Sequence, residues 1–341
     1  MRAFAGACFL VLFTCTATTA AAATPPIWNT QEPIVISSLE NFSTNPSQRG
    51  WNIFGDTNLF TWNADHLDVT WDSSRSNSYF RLPLPTIATA RDNFFVSLEF
   101  VLHEIQAGLR PDFPGAMQLA FGFQNRADAD QPGFIRGTGA DSPNLVEFNF
   151  FPDTGFGPTA WPLIVFSNSV VNYNGNGDFS KFELPIGVPM NIALQYTASN
   201  RTVSLAVRTN GVLVGPIVDA PIASEENGFE VDAFAISSYS EAGQSPNFPG
   251  SIFARGTVDN FAFIAPQPSI RAARGSRMDG EWQHEVLSLP GWIYVLEASE
   301  DLAAWNEIAP NVAGTGDWII LRAADSPPRP RRFFRIKAIR M

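Results

Sequence analysis

Three groups of residues in this sequence have types and spacing that chemistry can use. The first is the loop Asn172-Tyr173-Asn174-Gly175-Asn176-Gly177-Asp178, followed by Glu183. It fits an EF-hand calcium loop at positions 1, 3, 5, 6, 7 and 12. Two readings stay open here. Asp178 and Glu183 would supply the charge a cation needs, yet Asn and Gly at these places also serve the left-handed turns of a long hairpin loop. The flanks 162–171 and 182–190 read as strands rather than helices, which favours the hairpin. The second group is aromatic. A flat ring on a sheet surface stacks on the apolar face of a sugar while Asn, Asp or Arg bonds its hydroxyls. Trp161 and Tyr173, beside Pro162 and the Asn/Gly loop, are the expected surface rings, although tryptophan is more often packed inside. Histidines make up the third group. His66, His103 and His284 lie far apart with no metal-binding spacing, so they read as packing residues. No Gly-x-Ser-x-Gly elbow or phosphate-cradling glycine loop accompanies them.

The elements that must position these residues are strands. Residues 94–102, 117–123, 145–151, 191–196, 202–208 and 258–264 alternate large apolar with polar or small side chains. Breakers recur between them, and Asn210-Gly211 between two Val-rich runs is a type I′ hairpin signal. No stretch has a helical period. About a dozen short strands in the block 34–264 predict a β-sandwich of the jelly-roll kind. Ala265-Pro266-Gln267-Pro268 (265–268) reads as a linker. Beyond it, 269–341 carries strand-like runs at 292–298, 318–321 and 333–339 and predicts a small C-terminal β-sandwich, so the fold class is all-β. Arg329, Arg331, Arg332, Arg335 and Arg340 read as a solvated edge that blocks strand pairing.

Composition narrows the function. The chain has 341 residues, three histidines, two cysteines and a formal charge of −11. An acidic balance argues against nucleic acid, whose phosphates need a basic face. Residues 1–24 read as a signal peptide: Arg2, an apolar core at 3–13, then small residues at 17–23. That core is too short to span a bilayer, which takes ~20 residues. Cys8 and Cys15 both fall inside the segment, so cleavage leaves no thiol, and zinc, haem and thiol chemistry have few ligands. The expected location is secreted, cell-surface or periplasmic. A lipoprotein acylated at Cys15 after Leu12-Phe13-Thr14 is the rival, although Phe and Thr suit that motif poorly.

The large block resembles the concanavalin-A-like, laminin-G-like jelly-roll superfamily. The matching residues are Glu40-Asn41-Phe42-Ser43 with Gly50-Trp51, then Trp62, Leu67 and Val69, and the closing Thr257-Val258-Asp259-Asn260-Phe261. The tail resembles a small β-sandwich module that ends many secreted proteins of Verrucomicrobia and Planctomycetes, through 294–302 with Trp305 and through 332–336. The resemblance implies that Trp62, Leu67 and Val69 are core, and Trp292 and Trp305 are expected in the core of the tail. Glycanases of the superfamily carry Glu-x-Asp-x-Glu on one strand, the two glutamates serving as nucleophile and acid/base. Here Glu147 matches the first carboxylate, while Asn149 and Phe151 replace the others. Retaining hydrolysis needs two carboxyls ~5 Å apart, so the resemblance implies binding rather than catalysis, with Glu147 and Asn149 as ligand contacts. It also implies that first and last strands lie together, where Glu40 and Asp259 could hold a structural Ca²⁺.

The resulting expectation is an exported, non-catalytic protein that binds an extracellular polysaccharide through its jelly roll, its tail a spacer or attachment module. Its rivals are an adhesion protein that binds a cell-surface protein, and a glycan hydrolase with an unrecognised site.

Overall fold

Large apolar side chains at every second position put one face of each strand against a partner sheet, and this alternation builds two packed layers. The computed structural model describes residues 38–108, 119–131, 142–152, 158–172, 181–215, 218–222, 228–240, 252–264, 270, 272–278, 281–324 and 332–340. The signal segment 1–24 and the linker 265–268 lie outside them.

Among the described residues, the first layer is a nine-stranded antiparallel sheet. Its path runs Val212–Leu213, Thr202–Thr209, Met190–Thr197, Phe94–Ala107, Ile252–Ile264, Leu67–Asp72 and Phe60–Trp62. Ser38–Glu40 adds to Ile252–Ile264, and Val218–Pro221 to Thr202–Thr209. The second layer is a seven-stranded sheet in the order Val171–Asn172, Thr159–Val165, Leu145–Phe151, Leu119–Gln124, Glu230–Ser238, Ser78–Thr89 and Asn52–Phe54. Phenylalanines from both layers meet in one core, including Phe94, Phe100, Phe123, Phe148, Phe234 and Phe261. Trp51 stacks on Phe80 at 4.7 Å and stands edge-on to Phe261 at 5.1 Å. Each such ring removed from water contributes about 1.5–3 kcal/mol.

The tail forms two smaller sheets. One joins Ala273–Met278, Glu281–Leu287 and Trp318–Ala324, and the other joins Trp292–Ser299 to Asn306–Glu307, Val312–Ala313 and Phe333–Arg340. Val286, Ile319 and Leu321 of the first pack with Tyr294 and Leu296 of the second, which makes a small β-sandwich. The fold is all-β, a large jelly-roll sandwich with a small one after it.

Local signals behave as expected in several places. Asn210 and Gly211 take φ of 49° and 77°, the left-handed pair a type I′ turn needs. The first and last jelly-roll strands pair, with Glu40 opposite Phe261. Other expectations are corrected. The flank expected as one strand over 162–171 is two, Thr159–Val165 and Val171–Asn172, and 182–189 forms no strand beyond a single bridge from Ile186 to Leu102. Trp62, expected in the core with Leu67 and Val69, is 36% exposed on an edge strand, where its indole N–H donates to the Phe42 carbonyl at 2.6 Å. Trp305 is half-buried beneath Arg335, whose guanidinium lies 4.3 Å from its ring.

Candidate functional site

The two jelly-roll sheets differ in how their strands are buried. Strands of the nine-stranded sheet such as Thr202–Thr209 alternate buried with half-exposed residues, whereas Leu119–Gln124, Leu145–Phe151 and Thr159–Val165 are buried on both faces. Parity then sorts their side chains. Val146, Phe148 and Phe150 enter the core between the sheets, so Glu147 and Asn149 point to the opposite, outer face.

Strand register arranges that outer face in three rows. The middle row reads Asn52, Arg81, Ala235, Gly122, Glu147, Leu163. On one side of it runs Phe54, Tyr79, Ser237, Ala120, Asn149, Trp161, and on the other Pro83, Ala233, Gln124, Leu145, Val165. Small residues at Ala120, Gly122, Ala233 and Ala235 make the floor. At Gly122 the neighbouring strand comes so close that a Cβ would lie 2.4 Å from the Val146 carbonyl oxygen and 2.5 Å from the Glu147 Cα.

Polar groups line this floor. The Tyr239 hydroxyl donates to Glu147 Oε1, and both side chains are buried. Asn149 Nδ2 donates to the Glu147 carbonyl at 3.5 Å. Arg81 grips Asp130, at the end of the short helix Arg126–Ala129, through Nη1 at 2.6 Å and Nη2 at 3.3 Å. Its guanidinium also lies over the rings of Phe54 and Tyr79, at 4.9 and 5.5 Å. Three side chains have unmet hydrogen-bonding atoms here: Arg81 Nε, Gln124 Nε2 and Oε1, and Ser237 Oγ. Gln124 and Ser237 are 0% exposed. Leaving such a group without a partner costs about 1–3 kcal/mol, so each needs a reason.

Sequence reasoning named Glu147, Asn149 and Trp161 as ligand contacts, and the register puts Asn149 and Trp161 opposite each other with Glu147 in the adjacent row. It misplaced Trp161 in one respect: the indole, expected at the surface, is 3% exposed. It missed Arg81, Gln124, Ser237 and Tyr239. A polar residue at every second place among Phe and Ile, as in Phe121-Gly122-Phe123-Gln124 and Ile236-Ser237, was the available signal.

The expected metal residues fare differently. Glu40 does lie on the strand beside Asp259's strand, but it is 2% exposed, and its Oε1 accepts from Arg49 Nη1 at 3.0 Å and the Phe42 N–H at 2.8 Å. Arg49 already neutralises the charge a cation would use. Asp259 sits opposite Glu99. Burial pushes its carboxyl above the usual carboxylate range, and the charges of Glu99 and Asp65 push the same way, against the Asn260 N–H that it accepts at 2.7 Å. Of the loop, Tyr173, Asn174, Asn176 and Asp178 lie outside the described residues, Asn172 closes a two-residue strand opposite Ile164, and Glu183 is exposed. Among the described residues no three or more His, Cys, Asp or Glu cluster to hold a metal ion. His284 packs against Phe334 at 5.0 Å, and burial lowers its pKa. His66 instead pairs with Asp65 and Asp68, and His103 is exposed.

No family model matches the sequence, and no curated protein matches it. Solved structures with a similar arrangement of strands include a Lotus tetragonolobus seed lectin, at 11% identity and a TM-score of 0.44 over 68% of this chain and 100% of that one. Lectin II from Ulex europaeus is similar at 14% identity and a TM-score of 0.42, covering 68% and 100%. The exoplasmic/lumenal domain of VIP36 in a Ca²⁺/Man3GlcNAc-bound form is similar at 6% identity and a TM-score of 0.40, covering 70% and 92%. Each likeness is one of strand arrangement. No helix among the described residues is long and apolar enough to cross a membrane.

Proposed function

We propose that the outer face of the seven-stranded sheet binds a glycan without cleaving it. One observation carries this reading: Arg81 Nε, the Gln124 amide and Ser237 Oγ are buried with unmet hydrogen bonds on the face that also holds Glu147, Asn149, Tyr239 and Trp161. A sugar hydroxyl both donates and accepts, so a row of hydroxyls answers an amide, a guanidinium N–H and a serine together. Binding without hydrolysis follows from the charges the strands supply. Glu147 shares its strand face with neutral Asn149, and Asp130 is engaged by Arg81. Double displacement needs two carboxyls ~5 Å apart across the bond. In this reading residues 1–24 direct export, the protein meets extracellular polysaccharide, and the C-terminal sandwich is a spacer or attachment module. Calcium, if it takes part, is held by the loop from Asn172 to Glu183.

A glycan array on the full-length protein tests the reading, with Ser237→Ala as the matched variant. The Ser237 hydroxyl makes no hydrogen bond, so the variant keeps its melting temperature while its array signal falls. An empty array together with a captured extracellular protein overturns the proposal in favour of adhesion. Release of reducing ends from laminarin, agar or xylan that disappears in Glu147→Gln overturns it in favour of hydrolysis. Calorimetric titration with Ca²⁺ tests the loop, and absence of heat removes the ion.

A further inference from the structure

We infer that the gap where the first strand of the large sandwich meets the last is a separate carbohydrate site, one that takes a single neutral sugar unit. The gap arises from pairing. Leu67–Asp72 and Ser38–Glu40 lie end to end along one edge of Ile252–Ile264, whose other edge pairs with Phe94–Ala107. Leu67 stops opposite Val258 and Glu40 starts opposite Phe261, so Asp259 and Asn260 have no strand partner on that edge among the described residues. A bulge marks the place: the register against Phe94–Ala107 shifts between Asp259 and Ala262, and Asn260 takes a left-handed φ of 45°. The opening is a cleft of about 440 Å³, lined in part by Glu40, Asn41, Ser43, Arg49 and Asn260. Small-molecule sites usually fall within ~300–1,000 Å³. From Val258 to Phe261 the strand runs about 10 Å at 3.3–3.4 Å per residue, which leaves room for one ring between the two strand ends.

The walls hold hydrogen-bonding capacity that the fold leaves over. Phe42 is buried and packs on Trp51 at 5.9 Å, and its chain neighbours Asn41 and Ser43 line the cleft. Asn41 Oδ1 accepts from the Ser43 N–H at 3.2 Å and hydroxyl at 2.8 Å, which leaves the Asn41 amide N–H groups over. Both hydrogen bonds to the buried Glu40 carboxylate, from the Phe42 N–H and Arg49 Nη1, land on Oε1, so Oε2 is left over. Asn260 Nδ2 donates to Glu99 at 2.7 Å, and its Oδ1 is left over. Donors from Asn41 thus stand beside acceptors from Glu40 and Asn260, a pattern that suits hydroxyls, each of which both donates and accepts. The Glu40 carboxylate disfavours a uronic acid in the same place. Trp62 supplies the apolar partner: its exposed indole is fixed by its N–H on the carbonyl of Phe42, the residue between Asn41 and Ser43. A ring held beside the cleft in this way can stack on the apolar face of a sugar.

The experiment is saturation-transfer NMR and calorimetry with glucose, galactose, mannose, xylose and glucuronic acid, on the full-length protein, Trp62→Ala, Trp62→Phe, Asn260→Gly and Ser237→Ala. At least one neutral sugar is expected to bind with a Kd on the order of 1 mM, and glucuronic acid more weakly. Asn260→Gly keeps the left-handed backbone and removes the amide, while Trp62→Ala removes the ring. Each is expected to weaken binding about tenfold, and Trp62→Phe, which retains a ring, to recover most of the affinity. Ser237 lies on the other sheet, so Ser237→Ala leaves this binding unchanged. No binding of any neutral sugar overturns the inference, as does binding that survives both Trp62→Ala and Asn260→Gly. Either result leaves the outer-face reading standing, because the signal of that face depends on Ser237 and not on the cleft.

Discussion

Tyr239 donates its hydroxyl to the carboxylate of Glu147, joining two buried side chains that stand 92 residues apart in the chain. Glu147 lies on Leu145–Phe151 and Tyr239 directly follows Glu230–Ser238, with Leu119–Gln124 between those two strands. The bond therefore spans an intervening strand. Tyr239→Phe removes the donor from a buried acceptor and is expected to lower stability by about 1–3 kcal/mol in urea unfolding. Glycan affinity should fall with it, since Glu147 loses a group that orients it. An unchanged unfolding midpoint would mean that the bond does not form in solution.

Gly122→Ala tests the floor of the site. Its Cβ would meet backbone atoms, the Val146 carbonyl oxygen and the Glu147 Cα, which cannot swing away as a side chain does. A loss of about 1–3 kcal/mol is expected, read as a lower melting temperature, with strand Leu145–Phe151 displaced. A variant as stable as the parent would show that the two strands stand further apart.

Arg49→Met leaves the Glu40 carboxylate buried beside the Phe42 N–H without its cation. The Arg49 side chain is 44% exposed, so solvent screens the pair, and the expected cost is about 1–3 kcal/mol, below that of a fully buried pair. Calcium should not restore the loss. Recovery of the melting temperature by added Ca²⁺ would instead support a cation site at Glu40 and Asp259.

Asp259 supplies a pH signature of definite sign. Burial, then the charges of Glu99 and Asp65, raise its pKa above 3.8 in the folded chain. The folded state then holds the proton more tightly than the unfolded state, so this group's contribution to stability falls as pH rises from 3.8 through the raised value. Asp259→Asn should gain on the parent protein over that window and keep the advantage at neutral pH. Asp301 has the opposite sign: the N–H groups of Ala304 and Ala303 lower its pKa, so its contribution is lost as pH falls. Melting curves of Asp259→Asn and Asp301→Asn from pH 3 to pH 7 should therefore diverge in opposite directions from the parent, and parallel curves would refute the assignment.

Period two and turn chemistry are local properties, and the sequence alone determined what depends on them. Alternation identified Leu145–Phe151 residue for residue, and Asn210-Gly211 identified its hairpin. Even the pair of faces on Leu145–Phe151 was legible, since Glu147 and Asn149 must share one side of a strand. Tertiary structure alone decided which strands became neighbours and in what register. Register is set by packing between residues far apart in the chain, so no local pattern could put Gln124 opposite Ala233, or Ser237 opposite Ala120. Burial was decided at the same level. Trp161, expected at the surface, is 3% exposed, and Trp62, expected in the core, is 36% exposed on an edge strand. The candidate site follows this division: the strand that carries Glu147 and Asn149 was legible in the sequence, and the unmet groups around it appear only once the sheet is assembled.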